Sequence, residues 1–158
     1  MKTFSNAIDA AIFDMDGVLV NNHQYHLNAW KEFCRRHGYK FDEKTFTTAY
    51  FGKNNQEIIS ELTGKSISTH EAELLGEEKE AIYRDIYLPF IKPVDGLIEL
   101  LDYLKENGVR LAVATSAPKS NFKFIEKSLR LENRFDVVVD ASMVQHGKPD
   151  PEIYLKAS

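Results

Sequence analysis

The sequence predicts an α/β protein: a parallel-sheet core drawn from residues 1–20 and 90–158, interrupted by an all-helical insertion over 21–89. The first observation is a set of three short apolar runs, IDAAIFD (8–14), VRLAVAT (109–115) and FDVVVD (135–140), none of which alternates polar with apolar residues. Strands of that kind suit a parallel sheet covered on both faces. The second is the order helix, strand, helix, strand from residue 94 onward, which implies right-handed crossovers. The third is the break in that rhythm between about 21 and 88, a stretch with several helical patterns and no strand.

Each element follows from local chemistry. GLIELLDYLKENG (96–108) is amphipathic and stops at Gly108, a C-terminal helix signal. PKSNFKFIEKSLRL (118–131) places Phe122, Ile125 and Leu129 on one face, with Pro118 in the first turn. In the insertion the helical segments are HQYHLNAWKEFCRRHG, DEKTFTTAYFG, NNQEIISELTG and STHEAELLGEEKEAIYRDIYL. The first three close near Gly38, Gly52 and Gly64. The connections to the core are GVLVN (17–21) and LPFIKPVDG (88–96), the latter stiffened by Pro89 and Pro93.

Composition narrows the function classes. With 158 residues, 43% hydrophobic and 28% charged, the chain has the balance of a globular protein. A net charge of −4 argues against a nonspecific grip on nucleic acid. One cysteine, Cys34, permits no internal disulfide and fits a reducing compartment. Asp9 and Asp14 interrupt the apolar N-terminal stretch, and no apolar run is long enough to span a membrane. The expectation is a cytoplasmic protein without nucleic-acid or membrane partners.

Chemistry-bearing residues gather at the ends of the three strands. The first runs into Asp14-Met15-Asp16-Gly17, and ligands of open parallel sheets bind beyond the carboxyl ends of strands. One carboxylate can attack a phosphoryl group while a second handles the proton of the leaving oxygen. The second strand ends in Ala114-Thr115-Ser116-Ala117-Pro118, opening a helix where a hydroxyl and backbone N–H groups make an anion site. After the third comes Gly147-Lys148-Pro149, with a lysine on a short loop. Singly, these are also an Asp-Gly turn, an N-cap and a solvated lysine. Together they supply a nucleophile, a donor for non-bridging oxygens and a cation for developing charge.

In order, this pattern (hhhhDxDGV, then Thr/Ser, then Lys-Pro) resembles the haloacid dehalogenase (HAD) superfamily over the whole chain, in its phosphatase and β-phosphoglucomutase-like branch. The resemblance implies a Rossmann-like core with a helical cap that closes over the site. It makes Asp14 the nucleophile, carrying an aspartyl-phosphate, and Asp16 the general acid/base. Mg²⁺ would be held by the Asp14 carboxylate and the Asp16 backbone carbonyl. Thr115 and the amide of Ser116 would hold the phosphate, with Ala117 in the same loop, and Lys148 would neutralise Asp14 and the transferring group. Within the cap, His26 and Trp30 of YHLNAW and Lys79 of EKEAIY match substrate-binding positions of β-phosphoglucomutase. Helix packing for His26 and Trp30, and solvation for Lys79, are the alternatives.

Two departures bear on function. Where the mutase carries an arginine after its cap glycine, this chain has Gly52-Lys53-Asn54-Asn55. Lys53 supplies charge for substrate but not bidentate geometry. Asn21-Asn22 stands where the family often has Asp-Ser or Asp-Thr. The leading expectation is therefore a Mg²⁺-dependent phosphohydrolase for a small phosphorylated metabolite of the sugar-phosphate class. A phosphohexomutase and a non-catalytic binding protein on the same scaffold are the alternatives. Relatives in the family continue past the Lys-Pro loop with further strands and acidic metal ligands. The expectation is that the C-terminal part of the core lies in a longer chain or is supplied by another chain.

Overall fold

The computed structural model describes residues 8–50, 53–64 and 67–158. In chain order the elements are β1 (Ala10–Phe13), α1 (His23–His37), α2 (Glu43–Thr48), α3 (Asn55–Thr63), α4 (Thr69–Tyr87), α5 (Leu97–Glu106), β2 (Arg110–Ala114), α6 (Lys119–Leu129), β3 (Val137–Val139) and α7 (Glu152–Ala157). They divide into two compact units, one from the chain up to Asn21 together with Ile91–Ser158, the other Asn22–Phe90. The sequence boundaries were 1–20, 21–89 and 90–158, one residue away at each junction.

The first unit is the predicted parallel α/β core, with strand order β1-β2-β3 and both pairings parallel. Ile12 faces Ala112 across the first pair, and Val113 faces Val138 across the second. Side chains alternate across β2. Ala112 and Ala114 pack with Val139, Ile153 and Ala157, which seats α7 on the sheet, and Ile12 and Val144 close that cluster. Leu111 and Val113 are buried, as are Leu97 and Leu101 of α5 and Phe122 and Ile125 of α6.

All three strands are shorter than the apolar runs that predict them. At the start of β3 the reason is explicit: the Asp136 carboxylate accepts the Leu111 N–H at 2.8 Å, replacing a ladder bond with a side-chain one. Pro118 also differs from its expected place. It is the extended N-cap of α6 (ψ 155°) and not part of the first turn, so the helix opens at Lys119. Beyond β1 the chain turns sharply. Gly17 has φ +76°, its N–H donates to the Val20 carbonyl, and Met15, Leu19 and Val20 are sealed inside. The return connection runs alongside, with Val94 N–H donating to the Leu19 carbonyl at 3.0 Å.

Among its described residues the second unit has helices joined by short turns and no strand. α1 buries Leu27, Trp30, Phe33 and Cys34, and α4 buries Ala72, Gly76, Ile82, Tyr83 and Tyr87. Phe46 of α2 packs on Trp30, ring centroids 5.7 Å apart. α3 starts in a capping box between Asn54 and Glu57 and ends at Gly64, which is left-handed at φ +62°. α2 stops at Thr48, earlier than predicted; the Thr47 and Thr48 hydroxyls donate back to the Glu43 and Lys44 carbonyls, bonds that compete with helix continuation. Gly52, expected to end that helix, lies outside the described residues. No helix among the described residues is long and apolar enough to cross a membrane.

Candidate active site

Asp14 follows β1 directly, and its side chain is 37% exposed. Both carboxylate oxygens are engaged. Oδ1 accepts the Met15 N–H at 2.7 Å, and Oδ2 lies 2.8 Å from the Lys148 ammonium. Lys148 Nζ also donates to the Ala114 carbonyl at 3.0 Å. A lysine from the loop after β3 thus reaches past the end of β2 to the end of β1. The Tyr154 ring lies 5.0 Å from Nζ. Burial works against the charge on Lys148, but its hydrogen bonds to Asp14 and Tyr154 outweigh that and hold its pKa above the ordinary lysine value. Asp16 is exposed at the Gly17 turn, where it forms an isolated bridge with Val20.

Thr115 is fully buried at the end of β2. Its N–H donates to the Val139 carbonyl at 3.0 Å, and its Oγ1 accepts the Ala117 N–H, also at 3.0 Å. Thr115 and Ser116 form a turn between strand and helix, α6 begins at Lys119, and its N-cap Pro118 contributes no side-chain bond. The Ala117 amide is occupied by Thr115. Because Oγ1 already accepts that N–H, its own proton is directed elsewhere, which makes the hydroxyl a donor. Ser116 is exposed beside it.

In the helical unit, His26, Trp30 and Lys79 come together and Lys53 does not join them. Lys79 is 2% exposed. Its Nζ lies 2.9 Å from His26 Nδ1, 2.9 Å from Glu80 Oε1 and 5.1 Å from the Trp30 ring centre. An ammonium has only protons to give, so Nδ1 accepts. The His26 ring stacks on Tyr83 at 3.8 Å, and Asn22 Nδ2 donates to the Tyr83 hydroxyl at 2.7 Å. Lys53 instead pairs with Glu61, a hydrogen bond that raises its pKa, and lies over the Tyr50 ring. Asn55 Nδ2 donates to Glu80 Oε1 at 2.7 Å.

Two residues escaped the sequence reading: Glu80, which carries the charge opposite Lys79, and Glu152, which grips the loop before Lys148; Asn55, noted there only as a replacement for arginine, ties α3 to Glu80. A signal existed for Glu80: on α4 it lies on the stripe Ala72, Gly76, Tyr83 and Tyr87, a charge where apolar residues belong. For a metal, Asp14 and Asp16 provide hard oxygen donors at one strand end. Among the described residues no group of three or more His, Cys, Asp or Glu is gathered to hold a cation. Such a sparse oxygen set fits a hard divalent ion that keeps several waters and uses one or two carboxylates with a substrate phosphate.

Comparison with known proteins agrees with this geometry. The family model for haloacid dehalogenase-like hydrolases matches residues 11–158. The chain is 33% identical over 147 residues to a validoxylamine A 7'-phosphate phosphatase of Streptomyces hygroscopicus subsp. limoneus, covering 93% of this chain and 68% of that one. It is 31% identical over 152 residues to a phosphorylated carbohydrates phosphatase of Thermotoga maritima, covering 94% and 68%. Among solved structures it superposes on a HAD hydrolase, family IA, variant 3 from Entamoeba histolytica with a TM-score of 0.86 and 33% identity, over 96% of this chain and 69% of that one. With Asp14 and Thr115 at the ends of β1 and β2, Lys148 on the loop beyond β3, and a family match over nearly its whole length, the chain belongs to the haloacid dehalogenase-like hydrolase family.

Proposed function

We propose that this protein is a Mg²⁺-dependent phosphohydrolase for small phosphorylated metabolites of the sugar-phosphate class, working through an aspartyl-phosphate on Asp14. The observation that carries the proposal is the Lys148 ammonium 2.8 Å from the Asp14 carboxylate. A nucleophilic carboxylate and a phosphoryl dianion repel each other, and a cation fixed between strand ends offsets that repulsion as they approach. An Asp14 oxygen attacks phosphorus, and the bond to the sugar oxygen breaks as Asp16 gives that oxygen a proton. Water, deprotonated by Asp16, then attacks the same phosphorus, and inorganic phosphate leaves Asp14 regenerated. The Thr115 hydroxyl and the Ser116 amide serve the non-bridging oxygens. Mg²⁺, held by the Asp14 carboxylate and the Asp16 carbonyl, would add further charge neutralisation on the transferring group.

The relative named as a phosphorylated carbohydrates phosphatase supports this class of substrate, and the one named as a validoxylamine A 7'-phosphate phosphatase supports action on a small phosphate ester. The helical unit supports hydrolysis over mutase chemistry. A mutase needs a second cationic phosphate anchor, yet Asn55 stands at the arginine position with its amide bonded to Glu80, and Lys53 pairs with Glu61. His26, Trp30 and Lys79 are proposed as the part of this unit, acting as a cap, that discriminates substrates. The test is phosphate release from a panel of phosphorylated sugars with Mg²⁺, its loss in EDTA, and a phosphoryl group on Asp14 found by mass spectrometry after acid quench. Accumulation of a sugar bisphosphate would favour the mutase, and no release from any monoester would refute the proposal.

A further inference from the structure

Lys148 sits on an exposed loop, and its own contacts hold the ammonium but not the backbone that carries it. What holds that backbone lies four residues on. The Glu152 carboxylate, at the first position of α7, accepts the Gln145 N–H at 3.1 Å on Oε1 and 3.0 Å on Oε2, and the His146 N–H at 2.8 Å. Lys156 holds the same carboxylate from one turn further along, Nζ to Oε1 2.7 Å, and also donates to the Met143 carbonyl at 2.6 Å. His146 Nδ1 lies 3.3 Å from Oε2. Below Lys148, the Glu152 N–H donates to Asp150 Oδ1 at 2.9 Å and the Asp150 N–H to the Gly147 carbonyl at 3.1 Å. The loop is therefore gripped on both sides of Lys148, and the grip is mounted on a helix whose Ile153 and Ala157 are buried against Ala112 and Ala114 of β2.

We infer that Glu152 is a positioning residue for the phosphoryl-transfer site: by binding the Gln145 and His146 amides it fixes the loop so that Lys148 stands on Asp14 and the end of β2. The physical case is one of preorganisation. Bonds between ionised acceptors and N–H donors are the strong kind, and each loop residue that they order is one that substrate binding does not have to order. Glu152 touches no reacting atom. The inference rests on the proposed role of Lys148, so the test needs a readout that works even without turnover.

Glu152→Gln removes the charge and one of the two acceptor oxygens, leaving a single neutral carbonyl for both amides. It should lower kcat for p-nitrophenyl phosphate by about 10-fold to 100-fold with KM little changed, the scale of a misplaced catalytic group. In a Lys148→Ala background the same substitution should cost less than about 2-fold, because the two act as a unit. Lys156→Met, which removes one partner of the carboxylate but neither amide bond, should cost less kcat than Glu152→Gln. Independently of activity, reductive methylation mapped by mass spectrometry should reach Lys148 faster in Glu152→Gln than in the wild type, while amide exchange in β2 stays unchanged. Unchanged labelling of Lys148, or a kcat loss that persists at full size in the Lys148→Ala background, would overturn the inference. If the wild type releases phosphate from no substrate, the proposed function fails, and the labelling result alone decides the role of Glu152.

Discussion

Lys79→Met is the most informative single perturbation of the helical unit. Methionine keeps the unbranched stem beside Trp30 and Tyr83 and removes only the charged head. The Lys79 and Glu80 side chains are 3% and 5% exposed, with Nζ 2.9 Å from Oε1. Desolvating two charges consumes much of their mutual attraction, so the intact pair adds little net stability. Removing one partner is different, because the Glu80 charge then stays buried without its lysine, a loss of about 3–5 kcal/mol. Against a typical domain stability of about 5–15 kcal/mol, that is a large fraction.

The assay is built into the sequence. Trp30 is the single tryptophan of the chain and its ring lies 5.1 Å from the Lys79 ammonium, so its fluorescence during urea unfolding reports this unit. Lys79→Met should lower the stability read by Trp30 by about 3–5 kcal/mol, and Glu80→Gln by a similar amount. The double variant Lys79→Met/Glu80→Gln should recover to within about 1–2 kcal/mol of wild type, since it leaves no buried charge unmatched. A loss below about 1 kcal/mol in Lys79→Met, with additive behaviour in the double variant, would refute a buried pair and return Lys79 to the solvated role.

Three further outcomes are expected. Asp14→Asn should keep the fold and reduce phosphate release from p-nitrophenyl phosphate to below about a hundredth of wild type, since an amide is a far poorer nucleophile; higher activity in a pure sample would sink the covalent mechanism. Asp16→Ala should damage turnover of an alkyl phosphate more than that of p-nitrophenyl phosphate, whose leaving group needs no proton; equal losses would argue against a proton role. Glu152, held by Lys156 and by the His146 and Gln145 amides, and Glu32, held by Arg35 and Arg36, both have pKa values of about 2. Both lie below the ordinary value of 4.5, so their stabilisation is present above pH 4.5 and is lost as pH falls towards 2. The protection factors of the Gln145 and His146 amides, that is, their exchange corrected for its intrinsic pH dependence, should therefore fall across that window, and unchanged protection would contradict the grip.

The fold was legible because its signals are local and repeated. Unalternating runs mark buried parallel strands, and the left-handed glycines Gly38 and Gly64 close α1 and α3 where the sequence places their ends. The misjudged boundaries are those set by side chains rather than by hydrophobic pattern. Asp136 takes over a ladder bond of β3, and the hydroxyls of Thr47 and Thr48 turn back on α2. Single-residue chemistry of that kind leaves periodicity untouched, so no windowed pattern reveals it.

At the site, Asp14 and Thr115 directly follow β1 and β2 and Lys148 lies on the loop beyond β3, an order legible because strand direction decides which end a residue follows. Where each charge goes is another matter. Lys53 and Lys79 look alike in the sequence, each in a polar stretch with acidic neighbours, yet Lys53 finds Glu61 on the surface of α3 while Lys79 is buried between His26 and Glu80. The difference lies in the phase of α4: Lys79 and Glu80 fall on the stripe that runs from Ala72 through Gly76 to Tyr83, so the helix cannot bury that stripe without them. A buried ion pair is tolerated there because neighbours complete its hydrogen bonding, Asn55 to Glu80 and His26 to Lys79. Asn55 stands where the mutase has an arginine, and a guanidinium in its place would bring a second cation against Glu80 and Lys79. The departure on which the proposed preference for hydrolysis rests is thus also the one that leaves the buried pair electrically balanced.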